Sequence, residues 1–378
     1  MAIIAPGATI GILGGGQLGR MTAMAARTMG YGVHILDPDP RCAAAAVADR
    51  VVAGKFDDAD AASDLASQCD VVTLEIEQIG ADALAAAIQH APVRPGPSVL
   101  AVIRDRAVQK RWLTDHGFPL GAYREVRSSN DLSDAARALG SLFVKACHGG
   151  YDGRSQARVS TLDECDAAWS SLGGRHSVAE QALDLEAELS VMVARNPSGD
   201  VRVYPPAFNV HERQILSWSA IPAQFPQTVL REAESLARGI ADALALEGIL
   251  AVELFLLRDG RLLVNELAPR PHNSFHETEV ACATSQFEQL VRAVCDLPLG
   301  DPRVLRPAAI YNLFGELWEK GAPPFEAALA QPGVRLHLYG KRGARPGRKM
   351  GHLSATGDTP AEAIERVRAA ARLVGAVS

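Results

Sequence analysis

The sequence predicts an α/β fold divided among two or three domains. A chain of 378 residues exceeds the size at which one hydrophobic core usually stops growing. Over the first hundred or so residues, short apolar strand patterns alternate with helical ones, which implies a parallel sheet covered by helices. Further along, two apolar strand patterns flank Asp259-Gly260, the dipeptide that favours a two-residue β-hairpin.

The elements follow in order. Residues 8–13 read as a short buried strand, followed by a glycine turn and a helix with Leu18, Met21 and Met24/Ala25 at helical spacing. Gly32–Leu36 is a second strand, ending at Asp37 and the turn-forming Pro38-Asp39-Pro40. Asp70–Leu74 is another strand, Ile79–His90 a helix, and the proline-rich Pro92–Pro97 a linker. Asp105 caps a helix running to about His116, where Gly117 and Pro119 stop it. Short strands dominate to about residue 185; longer strands, a helix near Thr228–Leu246 and the hairpin follow. The last section holds a strand at Val334–Tyr339, a basic glycine-rich loop and a helix from about Pro360. These readings divide the chain at 1–100, 101–300 (with a small subdomain at about 115–185) and 301–378.

Composition excludes several classes of function. The formal net charge is −6 with no block of Lys or Arg, so nothing offers a footprint for a nucleic-acid backbone. A small anionic substrate is still allowed, because a few cations can converge locally. Six scattered cysteines without CxxC spacing read as free thiols of a reducing cytosol. No signal-peptide pattern and no apolar run near the ~20 residues of a membrane helix is present, so the expectation is a cytoplasmic protein without membrane contact.

The hairpin carries the first chemistry. If Arg258 pairs with Arg261, Glu253 lies opposite Glu266 on one face. Their Cβ atoms would sit about 5 Å apart, where like charges destabilise unless something neutralises them. A magnesium ion suits that pair, since it takes one or two carboxylates and completes its shell with phosphate oxygens and water. Two exposed glutamates in a slipped register are the plain alternative.

The loop after the hairpin, Asn265-Glu266-Leu267-Ala268-Pro269-Arg270-Pro271-His272-Asn273-Ser274, is the densest polar segment of the chain. On this run the sequence resembles the ATP-grasp enzymes, and within them the 5-(carboxyamino)imidazole ribonucleotide synthase family of purine synthesis. The resemblance implies an ATP-grasp fold preceded by a Rossmann-like (pre-ATP-grasp) domain and followed by a small C-terminal domain. It also implies ATP and Mg²⁺, with Glu253 and Glu266 holding the metal and Asn265 in the nucleotide site. Arg270 would face the transferred phosphoryl group, where a guanidinium stabilises developing charge. His272, Asn273 and Ser274 would face the substrate, although a purely structural histidine is an alternative for His272. The family has glycine after the serine; Phe275 here is expected to reshape the pocket wall.

The strand-like Phe143-Val144-Lys145 leads into Gly149-Gly150-Tyr151-Asp152-Gly153-Arg154-Ser155-Gln156. Backbone amides of such a turn can approach phosphates, though the Gly-Lys-Ser/Thr ending of a Walker loop is missing. The family has a similar run, with glycine where Ser155 stands, used as a lid over ATP. By the same resemblance Gly150, Tyr151, Asp152, Gly153, Arg154, Ser155 and Gln156 cover the nucleotide, and Arg106 and Lys145 contact phosphates. Glu180, Gln181, Ala182 and Leu183 line the adenine with backbone groups reading its edge. Glu188 binds ribose, and His211 lies nearby.

Gly14-Gly15-Gly16-Gln17-Leu18-Gly19 follows a strand and precedes a helix, with Asp37 ending the next strand. That is the setting of a dinucleotide fingerprint, and alone it would suggest an NAD-dependent oxidoreductase. It leaves the downstream motifs unexplained. The family uses the same loop at the ribonucleotide end, which assigns Gln17, Leu18 and Glu75 to the substrate. Glu77 reads simply as a helix-cap charge.

Near the C-terminus, the segment 339–352 concentrates Lys341, Arg342, Arg345, Arg348 and Lys349 in an acidic protein. A solvated turn is the plain reading; a 5′-phosphate held by Lys and Arg is the functional one, and the family's pattern places Lys341 and Arg348 there. The reaction implied is carboxylation of 5-aminoimidazole ribonucleotide by ATP and bicarbonate through carboxyphosphate. Tyr151 would stack on the imidazole, and Asp152 or His272 would take the amine proton. A formate-dependent glycinamide ribonucleotide transformylase, an NAD-dependent dehydrogenase and a non-catalytic nucleotide-binding regulator stand as rivals. A homodimer is expected from the family alone.

Overall fold

The structure, a computed structural model, describes residues 3–149 and 155–376, which form three sheets. The first is parallel, with strands β1 (Thr9–Leu13), β2 (Gly32–Asp37), β3 (Arg50–Ala53) and β4 (Val71–Leu74) in the order β3-β2-β1-β4. β1 and β4 are almost wholly buried, as expected of strands covered on both faces. The helix Gln17–Thr28 buries Leu18 and Met21 as the spacing predicts, while Met24 faces solvent.

The proline-rich stretch is a seam. Val93 bridges Val72 in parallel, and Arg94, 3% exposed, donates to Glu247 Oε2 (2.9 Å) and the Val294 carbonyl. These contacts clamp the first sheet to the rest of the molecule, so Pro92–Pro97 does not behave as the linker its composition suggests. Pro97 instead opens a helix to Ile103, the first-turn position that suits proline.

The second sheet is antiparallel and small: β5 (Tyr123–Val126), β6 (Leu142–Ala146), β7 (Gln156–Val159) and β8 (Ser177–Gln181), in the order β5-β8-β6-β7. Helices Ser129–Leu139 and Cys165–Ser171 cover it through a separate core including Leu132, Leu142 and Val144.

The third sheet forms the body. Its strands are β9 (Leu185–Arg195), β10 (Val201–Val203), β11 (Ala207–Glu212), β12 (Ile215–Ile221), β13 (Gly248–Leu257), β14 (Leu262–Ala268), β15 (Ala308–Phe314), β16 (Val334–Leu338) and β17 (Lys349–Thr356). They run β14-β13-β9-β11-β12-β15-β17-β16, with β10 on β9. The C-terminal strands therefore extend the same sheet that carries the hairpin. Leu189, Val191 and Val193 of β9 point to one face, where the helix Gln227–Ala243 packs with Ala233, Ala237 and Ile240. Met192 and Ala194 point to the other, toward the parallel sheet.

The hairpin differs from expectation in a way that preserves its result. Leu257 pairs with Arg261 across a three-residue turn, accepting from Gly260 N–H and donating to the Arg261 carbonyl, both at 2.9 Å. A two-residue type I′ turn needs positive φ at both central residues; here Gly260 takes φ +86° and Asp259 is not among the left-handed residues. The register is then one residue off the predicted one, with Leu254 opposite Val264. A bulge next to Glu253 makes Asn265 an extra residue and restores the predicted pairing, so Glu253 does face Glu266. Bulges re-aim side chains in this way: Asn265 and Glu266 are both half-buried between the buried Val264 and Leu267.

Candidate active site

One face of the body sheet is a continuous polar floor. Cross-strand partners share a face. Glu266 opposes Glu253, Glu253 opposes Ser190, and Asn209, two residues beyond Ser190's partner Ala207, opposes Ser219. Farther along, Asn312 opposes His352, and His352 opposes His337. The nucleotide residues inferred from the sequence lie at the hairpin end of this floor, and the basic loop lies at the other.

At the hairpin end the two glutamates have separate partners. Glu253 Oε1 lies 3.1 Å from His272 Nε2, and its Oε2 accepts from Asn265 Nδ2 at 3.1 Å. Burial pushes the Glu253 carboxyl up, but the His272 hydrogen bond and the positive charge around it, Lys145 included, outweigh it and hold it below the usual carboxylate range. Glu266 pairs with Arg106 at 2.7 Å. Two carboxylates on adjacent strands form an oxygen donor set that fits a hard divalent cation.

Lys145 of β6 joins both sheets, donating to Glu180 (2.9 Å) and Asn265 Oδ1 (3.2 Å). Glu180 also pairs with Lys110 at 3.2 Å. Burial raises this carboxyl, and the two lysines bring it down to about 2. Lys110, only 4% exposed, reaches the Asn265 carbonyl at 3.1 Å. It is a site residue that the sequence reading missed; its position one helical turn after Arg106 was the available signal.

Arg270 donates to Glu77 at 2.6 and 3.4 Å. Glu77 is therefore the anchor of Arg270 across the seam, not a helix-cap charge. Burial opposes its ionisation, but the Arg270 charge and hydrogen bond hold it below the usual carboxylate range. His211 Nδ1 sits 3.0 Å from Glu188, and although burial disfavours its charge, Glu188 raises its pKa.

Gln181 and Ala182 donate their amides to the Ala122 and Ser141 carbonyls, so an adenine edge here would be read by groups other than these two amides. Leu183 packs at Gly121. Gly150, Tyr151, Asp152, Gly153 and Arg154 lie outside the described residues. Ser155 holds φ +73° and accepts from Arg175, which gives a physical reason for glycine at this position in the family. Gln156 reaches across to Gln214 on the β11–β12 turn, so the small sheet touches the body over the site.

The glycine fingerprint is filled from within. Gly16 and Gly19 amides donate to Glu75 at 2.5 and 2.6 Å, and the Gly15 amide donates to Asp37 at 2.8 Å. Burial raises the Glu75 pKa, only partly offset by the two amides. A Cβ at Gly16 would lie 2.5 Å from that carboxylate, and one at Gly19 2.3 Å from the Gly14 carbonyl. The amides that would hold a dinucleotide pyrophosphate are thus engaged by a protein carboxylate, which disfavours the oxidoreductase reading. Gln17 accepts from Lys341 at 2.6 Å, bringing the first helix and the basic loop together. Leu18, 8% exposed, packs with Met21, Phe287 and Tyr339.

Arg348 donates to the carbonyls of Arg342 and Gly343, shaping its own loop. Asn273 and Asn312 exchange hydrogen bonds, and Ser274 is fully buried between Ser190 and His272. Phe275 does not reshape the pocket: its ring is fully buried against Tyr204 in the core, 6.2 Å between centroids. Glu279, His337 and His352 also cluster. The two imidazoles stack at 5.2 Å and 14°, so their nitrogen lone pairs run in near-parallel planes and do not converge on a common ion.

Residues 7–104 match the ribonucleotide synthetase preATP-grasp domain, 111–287 the ATP-grasp domain, and 308–366 the phosphoribosylaminoimidazole carboxylase C-terminal domain. The chain is 42% identical over 352 residues to N5-carboxyaminoimidazole ribonucleotide synthase of Brucella melitensis, covering 92% of this chain and 96% of the relative. It is 40% identical over 356 residues to the Bacillus subtilis enzyme, covering 93% and 92%. Among solved structures, an ADP complex of such a synthetase superposes with TM-score 0.91 at 40% identity, covering 97% of each chain. The Aspergillus clavatus enzyme with ADP and 5-aminoimidazole ribonucleotide superposes with TM-score 0.90 at 32% identity, covering 98% and 99%.

Proposed function

The chain belongs to the N5-carboxyaminoimidazole ribonucleotide synthase family of ATP-grasp ligases, and from that premise we propose that it carboxylates 5-aminoimidazole ribonucleotide. ATP, bicarbonate and the ribonucleotide give ADP, phosphate and the N5-carboxylated product. The observation that carries the reading is the polar floor itself, with a nucleotide-type acid and lysine cluster at one end and the Gln17–Lys341 contact at the other.

Glu253 and Glu266 would hold magnesium, which neutralises the phosphate oxygens of ATP when bound. Arg106 and Lys145 contact phosphates, and Glu180 holds Lys145 and Lys110 in place. Bicarbonate oxygen attacks the γ-phosphorus, and ADP leaves. Arg270, oriented by Glu77, stabilises charge on the transferred phosphoryl group. The exocyclic amine then attacks the carboxyl carbon of carboxyphosphate, or CO₂ released from it, and phosphate leaves. Closure of the small sheet over the floor excludes water that would destroy the intermediate. Both nitrogens of His272 are engaged by Glu253 and Ser274, which favours Asp152 as acceptor of the amine proton. Gln17, Leu18, Glu75, Tyr151, Asn273, Ser274, Lys341 and Arg348 form the ribonucleotide end, with Lys341 and Arg348 on the 5′-phosphate. Gly150, Gly153, Arg154, Ser155 and Gln156 cover the nucleotide; Gln181, Ala182, Leu183, Glu188, His211 and Asn265 line it.

Transfer of label from bicarbonate to the ribonucleotide, dependent on ATP and Mg²⁺, tests the reading. An Asp152→Asn variant with undiminished carboxylation would remove the base assignment. Among the described residues no helix is long and apolar enough to cross a membrane. We place the enzyme in the cytosol as a homodimer on family grounds, and light scattering tests the dimer.

A further inference from the structure

Behind His272 a line of polar side chains enters the body sheet. Asn209 Nδ2 lies 2.9 Å from Ser190 Oγ, Ser190 Oγ 2.7 Å from Ser274 Oγ, and Ser274 Oγ 2.8 Å from His272 Nδ1. His272 Nε2 then lies 3.1 Å from Glu253 Oε1. Ser190, Ser274 and Asn209 are 0, 0 and 4% exposed. Ser190 and Asn209 interrupt apolar strands, with Leu189 and Val191 wholly buried on either side of Ser190. Buried polar groups cost free energy unless hydrogen-bonded, and a line of them ending on one carboxylate calls for a use.

Proton accounting gives the line a direction. An amide nitrogen only donates and a hydroxyl has one proton to give. Among the described residues the partners of Ser190 Oγ are Asn209 Nδ2, which cannot accept, and Ser274 Oγ, so the Ser190 proton goes to Ser274. The Ser274 proton therefore goes to His272 Nδ1, and the ring proton sits on Nε2, facing Glu253. Turning the Asn209 amide over would bury its NH₂ group where Oδ1 now lies without a partner. An orphaned donor is the rarer defect, which favours the orientation observed. With the ring proton on Nδ1 instead, a lone pair at Nε2 would face the carboxylate and repel it.

We propose that Ser190 and Asn209 are positioning residues that act through Ser274 to lock His272 in its Nε2–H tautomer and so keep Glu253 aimed at the nucleotide phosphates. The clause about phosphates rests on the proposed function; the tautomer lock does not. Strand register explains why these two residues serve: Ser190 is the direct cross-strand partner of Glu253, and Asn209 sits on the next strand along the same face.

The test uses the full chain with ¹⁵N-labelled histidine. The His272 signals of the wild type show the Nε2–H tautomer; Ser190→Ala gives a mixture, and Ser190→Thr, which keeps the hydroxyl, restores the single form. Asn209→Asp replaces the donor by an acceptor of the same shape, reverses each hydroxyl and moves the ring proton to Nδ1. A mere packing defect would not reverse the tautomer. In kinetics, Ser190→Ala raises the Mg²⁺ concentration for half-maximal rate about 10-fold and leaves KM for the ribonucleotide unchanged. An unaltered tautomer in both Ser190→Ala and Asn209→Asp overturns the proposal, and either variant alone supplies the readout if the other does not fold. Altered tautomers with no change in Mg²⁺ dependence would instead count against the assigned role of Glu253.

Discussion

Glu253 and Glu266 face each other across β13 and β14, yet each carboxylate is bound to a different base, His272 for one and Arg106 for the other. The like-charge clash expected of a cross-strand glutamate pair is relieved by partners drawn from opposite sides. A cation entering between them has to displace or share these contacts. Glu253→Gln or Glu266→Gln is expected to lower Mg²⁺-dependent phosphate release by about 100-fold or more, since even supporting residues of a metal site cost 10–100-fold. Steady-state rates across a magnesium titration check this; an unchanged titration curve would remove both residues from the metal site.

The Arg270–Glu77 pair crosses the seam between the parallel sheet and the body. Glu77→Gln keeps the side-chain shape but removes the charge that orients the guanidinium. The expected result is a fall in kcat of about 10-fold with little change in KM for ATP, as for loss of an interaction made in the transition state. Equal losses in the single variants and in Glu77→Gln/Arg270→Lys would confirm that the two act as a unit.

Glu277 is wholly buried, and its carboxyl is pushed up to about 8 by burial. Ser219 Oγ lies 2.9 Å from both the Ser274 carbonyl and Glu277 Oε1. The Ser219 hydroxyl donates to Glu277 but shares its one proton with the carbonyl, too little to offset burial, so Glu277 is a neutral acid below about pH 8. Its folded pKa lies above the unfolded value of 4.5, so the unfolded chain releases the proton first. Stability is then full below about pH 4.5 and falls as pH rises to about 8, by a few kcal/mol from this group. Glu277→Gln should flatten that part of the curve and be the more stable protein at pH 8. Urea unfolding at pH 6 and pH 8 measures it; parallel slopes for both proteins would contradict the assignment.

Ser155 sits at φ +73°, where a side chain costs roughly 1–2 kcal/mol. Ser155→Gly should stabilise the small sheet by about 1 kcal/mol, less the contact from Arg175. Limited proteolysis between β6 and β7 should slow, and faster cleavage would mean that the serine contact outweighs the backbone strain.

Glu180 shows the opposite pH behaviour from Glu277. Its carboxyl is held at about 2 against an ordinary 4.5, so its stabilisation is present above about 4.5 and lost as pH falls toward 2. Glu180→Ala would leave Lys110 buried without that charge, at a cost of about 3–5 kcal/mol. Thermal unfolding of the variant checks the direction.

Much of this was legible in the sequence because periodicity and turn chemistry act locally. The parallel strands, the helix capped by Asp105 and the Glu253–Glu266 pairing could all be read from spacing. The pairing was right although the turn was not: a glycine-only left-handed turn shifted the register by one, and the bulge at Asn265 shifted it back. Nothing local signals such a bulge. The hidden features depend on distant partners. Lys110 and Glu77 acquire their roles only when the small sheet and the parallel sheet dock on the body, and Pro92–Pro97 reads as a linker until Arg94 finds Glu247. Phe275 looked like a pocket residue until the chain turned its ring toward Tyr204.

The most direct measurement is phosphate release from ATP with bicarbonate, with and without 5-aminoimidazole ribonucleotide. Stimulation by the ribonucleotide, with one phosphate released per carboxylated product under conditions that trap it, is the predicted result. Stimulation by formate with glycinamide ribonucleotide instead, or no turnover with either substrate, would contradict the account.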